Sequence, residues 1–258
     1  MKSNRTSTRA GTQASDAKSQ TGRVILMLRE MLLRGDFAPG ERLAELTLVP
    51  RLQASRTPVR LALDRLAHEG LLEALPTTGF RVRQFPLADI RDAIELRGVL
   101  EGTAARLAAE RLTEAEDLAE LRRCCGETAD LLPSSVERFI RYIEINEAFH
   151  RELWRLAKSP ILLRAIEQLV ALPFAAPGAL VFTNRDPEGA TTEAVVALDQ
   201  HRAIVEAIEQ RASARAEAVA REHARVALRA LNRALERREL FSQMPGASLV
   251  TRQPADGT

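Results

Sequence analysis

Cysteine, tryptophan and tyrosine are nearly absent from this chain: two, one and one in 258 residues. The two cysteines, Cys124 and Cys125, are neighbours, so they neither staple a secreted scaffold nor complete a thiolate metal site, and they read as ordinary reduced residues. On a helix they would point about 100° apart. No apolar run is long enough to cross a bilayer, and the N-terminus is a Ser/Thr/Arg/Gln stretch instead of a charged segment leading into a hydrophobic one. The expectation is a cytoplasmic protein with no membrane partner. Excess charge of one sign is also missing, since the net charge is only +2.

That small total hides an uneven distribution. Residues 1–85 hold 14 Lys/Arg against 8 Asp/Glu, and the remainder 23 against 27. A basic first part joined to a mildly acidic second part, in a chain long enough for two cores, suits a nucleic-acid-binding module attached to a sensing or assembly module.

Within the basic part, Ser55-Arg56-Thr57-Pro58-Val59-Arg60 has the chemistry of a helix start. Ser55 is a candidate N-cap, and Pro58 falls in the first turn, where its missing donor costs nothing. Val59, Ala62, Leu63 and Leu66 repeat at helical spacing as a buried stripe, so Arg56, Thr57 and Arg60 face outward. Two guanidiniums and a hydroxyl suit phosphate and guanine. Upstream, Leu43 to Leu52 reads as a short helix, with Thr47 as N-cap so that Pro50 occupies its first turn, and Gln53-Ala54-Ser55 as the tight turn. Downstream, Gly70 ends the second helix, and Leu71–Leu75 with Phe80–Gln84 form a hairpin around Pro76-Thr77-Thr78-Gly79. Arg81 and Arg83 share one face of it, Phe80 and Val82 the other. Gly22 to Arg34 supplies the first helix.

These residues resemble the winged helix-turn-helix of the GntR family of bacterial transcription regulators, over roughly Arg23 to Phe85. The resemblance implies that Ser55, Arg56, Thr57 and Arg60 contact operator DNA and that the wing tip near Gly79 approaches the minor groove. Because one such helix reads only a few base pairs, two must cooperate as a homodimer on a palindromic operator.

Beyond residue 88 the pattern is helical almost throughout. Helices are expected at Asp89–Glu110, after a Thr113/Glu116 capping box, from a Ser135 cap to Lys158, at Pro160–Leu172, at Thr192–Gln210 and at Ser213–Leu240, the last two as an antiparallel pair. His201 precedes the Arg211-Ala212 turn by about as many residues as His223 follows it, so the two stand at one height. Asn146 and His150, four apart, project from one face of the third helix. Three imidazoles and an amide oxygen then converge, a set suited to a divalent transition ion, Zn²⁺ first, with Ni²⁺ or Mn²⁺ as further candidates. Trp154 and Tyr142 read as packing residues.

Asn146-Glu147-Ala148-Phe149-His150, His201 ahead of Ile204 to Ile208, and Arg221-Glu222-His223 resemble the all-helical FCD effector domain of one GntR subfamily. The resemblance implies a metal beside a pocket for a small organic acid. Glu95-Leu96-Arg97-Gly98-Val99-Leu100-Glu101 looks like that subfamily's first effector helix, whose arginine faces the pocket, although Glu101 at i+4 could simply pair with Arg97. Many members have Asp where this chain has Asn146, and a capping Asp at Ala212, where Ser213 is available to take over.

The expectation is a mainly α protein: a disordered tail over 1–20, a winged helix-turn-helix over 21–85, an all-α antiparallel bundle for effector binding and dimerisation over 88–241, and a disordered tail over 242–258. Its function would be ligand-responsive repression of a catabolic operon, released by a small carboxylate, with no enzymatic activity. A metal-dependent hydrolase is the rival reading, opposed by the direction of Glu147 and Glu222 away from the trio and by the lack of another suitably spaced carboxylate. A structural helical adaptor is the third, and it leaves Ser55 to Arg60 unexplained.

Overall fold

Val24, Leu28 and Leu32 stand one turn apart and are fully buried in the computed structural model, which describes residues 7–76, 79–131, 136–172, 174–179, 187–242 and 244–251. Two units result, Met1–Phe85 with Gly246–Thr258, and Pro86–Pro245.

In the first unit α1 (Ser7–Arg34) packs on α3 (Arg56–His68), with α2 (Glu45–Leu52) beside them. The expected stripe of Val59, Ala62, Leu63 and Leu66 is wholly buried. Gly70, at φ 78°, closes α3: its N–H meets the Ala67 carbonyl at 3.0 Å, and the Leu71 N–H meets that of Leu66 at 2.9 Å. The wing is a three-stranded antiparallel sheet in the order β1 (Arg42–Leu43), β3 (Phe80–Val82), β2 (Leu72–Ala74). Gly79 is required there, because it has φ 84° and a Cβ would stand 2.9 Å from the Leu43 carbonyl oxygen.

Several local expectations need correction. Thr47 is not the cap of α2; Ala44 is, and the Thr47 hydroxyl donates to the Ala44 carbonyl at 2.8 Å. Pro50 therefore lies inside the helix, which stops two residues later with Gln53 left-handed at φ 48°. Ser55 occupies the N-cap of α3 but its side chain makes no capping bond. The first helix extends back to Ser7 through the segment expected to be a tail, and β1 was not expected. The second expected tail is also structured as far as Thr251: Gly246–Thr251 belongs to the first unit, the Gly246 N–H meets the Leu33 carbonyl at 2.6 Å, and Leu249 is fully buried.

The second unit is helical: α4 (Leu87–Arg111), α5 (Ala119–Leu131), α6 (Val136–Leu156), α7 (Pro160–Val170), α8 (Pro187–Glu209), α9 (Ser213–Glu236) and α10 (Arg238–Phe241). The core runs through Ala104, Ala108, Leu121, Phe149, Leu153, Ile204, Ile208 and Ala220. Gly98 and Gly102 bring α4 against α9; a Cβ at Gly98 would lie 2.9 Å from Ala224 Cβ, and one at Gly102 3.0 Å from the Glu217 carbonyl oxygen. Arg211, at φ 54°, turns α8 back into α9, with the Ala212 N–H on the Ala207 carbonyl at 2.8 Å. The Thr113/Glu116 capping box is absent: Thr113 donates to Asp117 at 2.8 Å and a 3₁₀ turn, Ala115–Leu118, opens the segment. Ser213 is the first residue of α9, not its cap, and Ala212 provides no side-chain cap. Ser135 lies outside the described residues.

Leu249 tests whether the C-terminal segment belongs to the first unit. Leu249→Ala should destabilise that unit by about 2–5 kcal/mol, the range for a buried leucine truncated in a packed core. Hydrogen exchange at α1 and α3 amides would read it, and unchanged protection would refute the assignment.

Candidate functional site

On the first unit Ser55, Arg56, Thr57 and Arg60 are all exposed on the α3 face opposite its buried stripe. Arg60 is held only loosely, with Nε 3.8 Å from Glu45 Oε1. The sheet adds further cations: Arg42 lies opposite Arg81 in the register, and Arg81 opposite Glu73. Arg83 donates to the Gly70 carbonyl at 3.4 Å and sits over the Phe85 ring. Thr77 and Thr78, at the wing tip, lie outside the described residues.

In the second unit the three histidines meet. His201 Nε2 is 3.1 Å from His223 Nε2, which is 3.4 Å from His150 Nε2. All three are buried. Their outer nitrogens or faces are held from behind: His150 Nδ1 by Glu101 Oε1 at 2.8 Å, His223 Nδ1 by Gln200 Oε1 at 3.0 Å, and His201 by stacking on Phe149 with centroids 3.8 Å apart. Burial, followed by the neighbouring imidazoles, pushes His201 well below its ordinary range, and burial with His150 holds His223 at about 3. Neutral rings are the form that ligates a cation.

Asn146, His150, His223 and Arg97 line one cavity of about 50 Å³, shared with Tyr142 and Glu193. Arg97 is buried, donates to the Ala175 carbonyl at 2.8 Å, and has its Nε 3.6 Å from Glu101 Oε2. Arg97 thus lines the cavity and stands beside Glu101 at the same time.

Sequence reasoning missed two carboxylates. Glu101 bridges to the trio from behind, and Glu193, ion-paired with Arg233, lines the cavity. Only helix packing brings either there. Glu147 and Glu222 point elsewhere, paired with Arg151 at 2.6 Å and Arg225 at 2.8 Å. Cys124 and Cys125 are buried and free, and burial pushes the Cys125 thiol up to about 11, leaving it unreactive.

Acid should unfold the metal-free second unit earlier than its carboxylates alone require. The native state keeps His201 and His223 neutral while the unfolded chain protonates them near 6.5, so their contribution is present above that pH and declines below it. Each ring costs about 1.4 kcal/mol per pH unit. Glu101, which burial would raise but His150 and Arg97 hold at about 2, adds a loss in the same direction below its ordinary 4.5. Urea midpoints at pH 7.5 and 5 would measure the histidine part; equal midpoints would show that the rings protonate in the fold.

The profile of bacterial regulatory proteins of the gntR family matches residues 20–82, and that of the FCD domain matches residues 92–226. The chain is similar to the Nta operon transcriptional regulator of Aminobacter aminovorans, 36% identical over 133 residues, 52% of this chain and 61% of that protein. The match thus spans less than two thirds of that relative. It is also similar to the probable D-xylose utilization operon transcriptional repressor of Paenarthrobacter nicotinovorans, 32% identical over 179 residues, 69% of this chain and 74% of that one. Among solved structures, E. coli McbR/YncC shares the fold with a TM-score of 0.60 at 25% identity, over 84% of this chain and 98% of that chain. These families and relatives are regulators and not enzymes, which removes the hydrolase reading. Exposed arginines on a winged helix-turn-helix, a buried histidine trio in an all-helical second unit and both profile matches agree: the chain belongs to the gntR family of bacterial regulatory proteins and carries an FCD domain.

Proposed function

We propose that this chain is a DNA-binding transcription regulator, a repressor of a catabolic operon that binds a palindromic operator as a homodimer and is released by a small carboxylate held beside a divalent transition metal. The convergence of three imidazole Nε2 atoms, with His150 and His223 of that trio lining the same cavity as Arg97, is the observation that carries it. Similarity to a probable repressor of a D-xylose utilization operon supports the repressor and catabolic parts. A protein reading operator DNA would work in the cytoplasm.

The donor set fits such an ion. Nitrogens about 2.0–2.1 Å from a tetrahedral centre lie about 3.4 Å from one another, close to the 3.1 and 3.4 Å observed. His150, His201 and His223 would hold it, with Asn146 as the oxygen donor beside them, and Zn²⁺ suits this mixed set, ahead of Ni²⁺ or Mn²⁺. When bound, the ion supplies a +2 charge and an open position for a carboxylate oxygen. Arg97 would pair with the acid through charge-assisted hydrogen bonds of about 1.5–3 kcal/mol each. Binding would tie α4, α6, α8 and α9 together, and a preference of a few kcal/mol for one arrangement is enough to shift the population away from DNA binding.

On the DNA side, Ser55, Arg56, Thr57 and Arg60 would contact the operator through α3, and Gly79 would let the wing turn toward the minor groove. Arg56→Ala and Arg60→Ala should each weaken operator binding by about 1–3 kcal/mol and relax sequence preference where the guanidinium reads a base. Unchanged affinity in both, in a mobility-shift titration, would remove α3 from the interface.

On the effector side, His150→Ala, His201→Ala or His223→Ala should lower bound metal and abolish the response to organic acids while operator binding without effector survives. Elemental analysis and calorimetry would measure it. Undiminished acid affinity after metal stripping would assign the ion a purely structural role.

A further inference from the structure

We propose that Glu101 is the positioning residue of the histidine centre, holding His150 in the tautomer that carries its proton on Nδ1 and presents a bare Nε2 to His201 and His223. The inference rests on the metal reading above. Glu101 Oε1 receives two donors, His150 Nδ1 at 2.8 Å and the Trp154 indole N–H at 3.1 Å. An indole nitrogen only donates, so this oxygen acts as an acceptor. Arg97 stands beside the other oxygen, its Nε 3.6 Å from Oε2, and favours an ionised carboxylate that has no proton to give. His150 Nδ1 must then be the donor, and in a neutral ring Nε2 is left with its lone pair. That lone pair faces His223 Nε2 at 3.4 Å.

Gln200 does the corresponding work for His223, whose Nδ1 lies 3.0 Å from the amide Oε1. Two rings thus turn bare nitrogens to one point, the arrangement that a shared cation needs. The carboxylate does more than the amide, because its charge makes the His150 ring a more basic ligand and counters the ion's charge. Arg97 Nε and Glu101 Oε2 are buried polar atoms with no hydrogen-bond partner. Charge alone couples them, so the oxygen that faces the effector arginine belongs to the same group that orients the metal ligand.

Trp154 is the only tryptophan in the chain and donates to this oxygen, so intrinsic fluorescence reads the junction directly. The test titrates Zn²⁺ into the metal-free full-length chain and its Glu101→Gln variant, following Trp154 emission and bound zinc. Glu101→Gln keeps the side-chain shape and removes the charge, and should lower zinc affinity about 10–100-fold. Because the variant leaves Arg97 buried without its counter-charge and could fail to fold, a second measurement uses the unaltered chain. Nitrogen-15 imidazole spectra of the metal-free protein should show His150 protonated at Nδ1 and bare at Nε2. A folded Glu101→Gln variant with undiminished zinc affinity, or His150 protonated at Nε2, would overturn the role of Glu101 while leaving the metal reading intact. Failure of the unaltered chain to bind zinc would remove the metal reading and this inference with it.

Discussion

The close approach of α4 to α9 is the constraint on which the second unit depends. Gly98 and Gly102 sit where a Cβ would press on Ala224 and on the Arg221 and Glu217 carbonyls. Helices packed through larger residues stand about 8–10 Å apart, and these glycines permit the tight end of that range. Arg97 and Glu101 flank Gly98 and Gly102 on the same helix, so the small residues that admit α9 also deliver a cation and a carboxylate to His223 and His150. A side chain at either glycine would force α4 and α9 to give way where these two charges are held.

Burying Arg97 and Glu101 is costly: desolvation pulls the Arg97 guanidinium down, and at Glu101 it is the largest single cause but is outweighed by His150 and Arg97, which favour the carboxylate. The cost is offset by a shared arrangement: Arg97 donates to the Ala175 carbonyl, and Glu101 accepts from His150 and Trp154. A hydrophobic pair would stabilise the bundle as well or better, so the ionic pair is better understood as specifying a site than as holding the fold. The same cost keeps His201 and His223 neutral, which makes the centre receptive to a cation at neutral pH.

Much of this was legible in the sequence where one element sufficed. The α3 stripe and the outward face of Arg56, Thr57 and Arg60 follow from 3.6-residue spacing alone, and the end of that helix follows from the left-handed conformation that Gly70 permits. The pairing of His201 with His223 follows from a short turn between two long helices. What needed a third element was not legible: Glu101 reads as the i+4 partner of Arg97 until α6 packs against α4 and puts His150 and Trp154 on its other oxygen. Leu249 sits in a short segment, 244–251, whose apolar residues follow neither a helical nor a strand period, and its burial against α1 is a tertiary event that periodicity does not register. Local rules also over-reached, since Thr113, Ser55 and Ser213 have capping chemistry, yet the Thr113 hydroxyl donates to the Asp117 carboxylate and neither α3 nor α9 has a side-chain cap.

The charge balance of the cavity links the two halves of the proposed response. Arg97 is countered by Glu101 and Arg233 by Glu193, while His201 and His223 are neutral at pH 7 and Asn146 carries no charge. A carboxylate entering this cavity alone would meet Arg97, whose charge Glu101 already counters, and it would shed its hydration for little return. With a divalent ion on the histidines the balance becomes positive, and Asn146, unlike an aspartate, subtracts nothing from it. Under the proposed function acid affinity therefore depends on the ion, because the protein's own charges in the cavity are already matched.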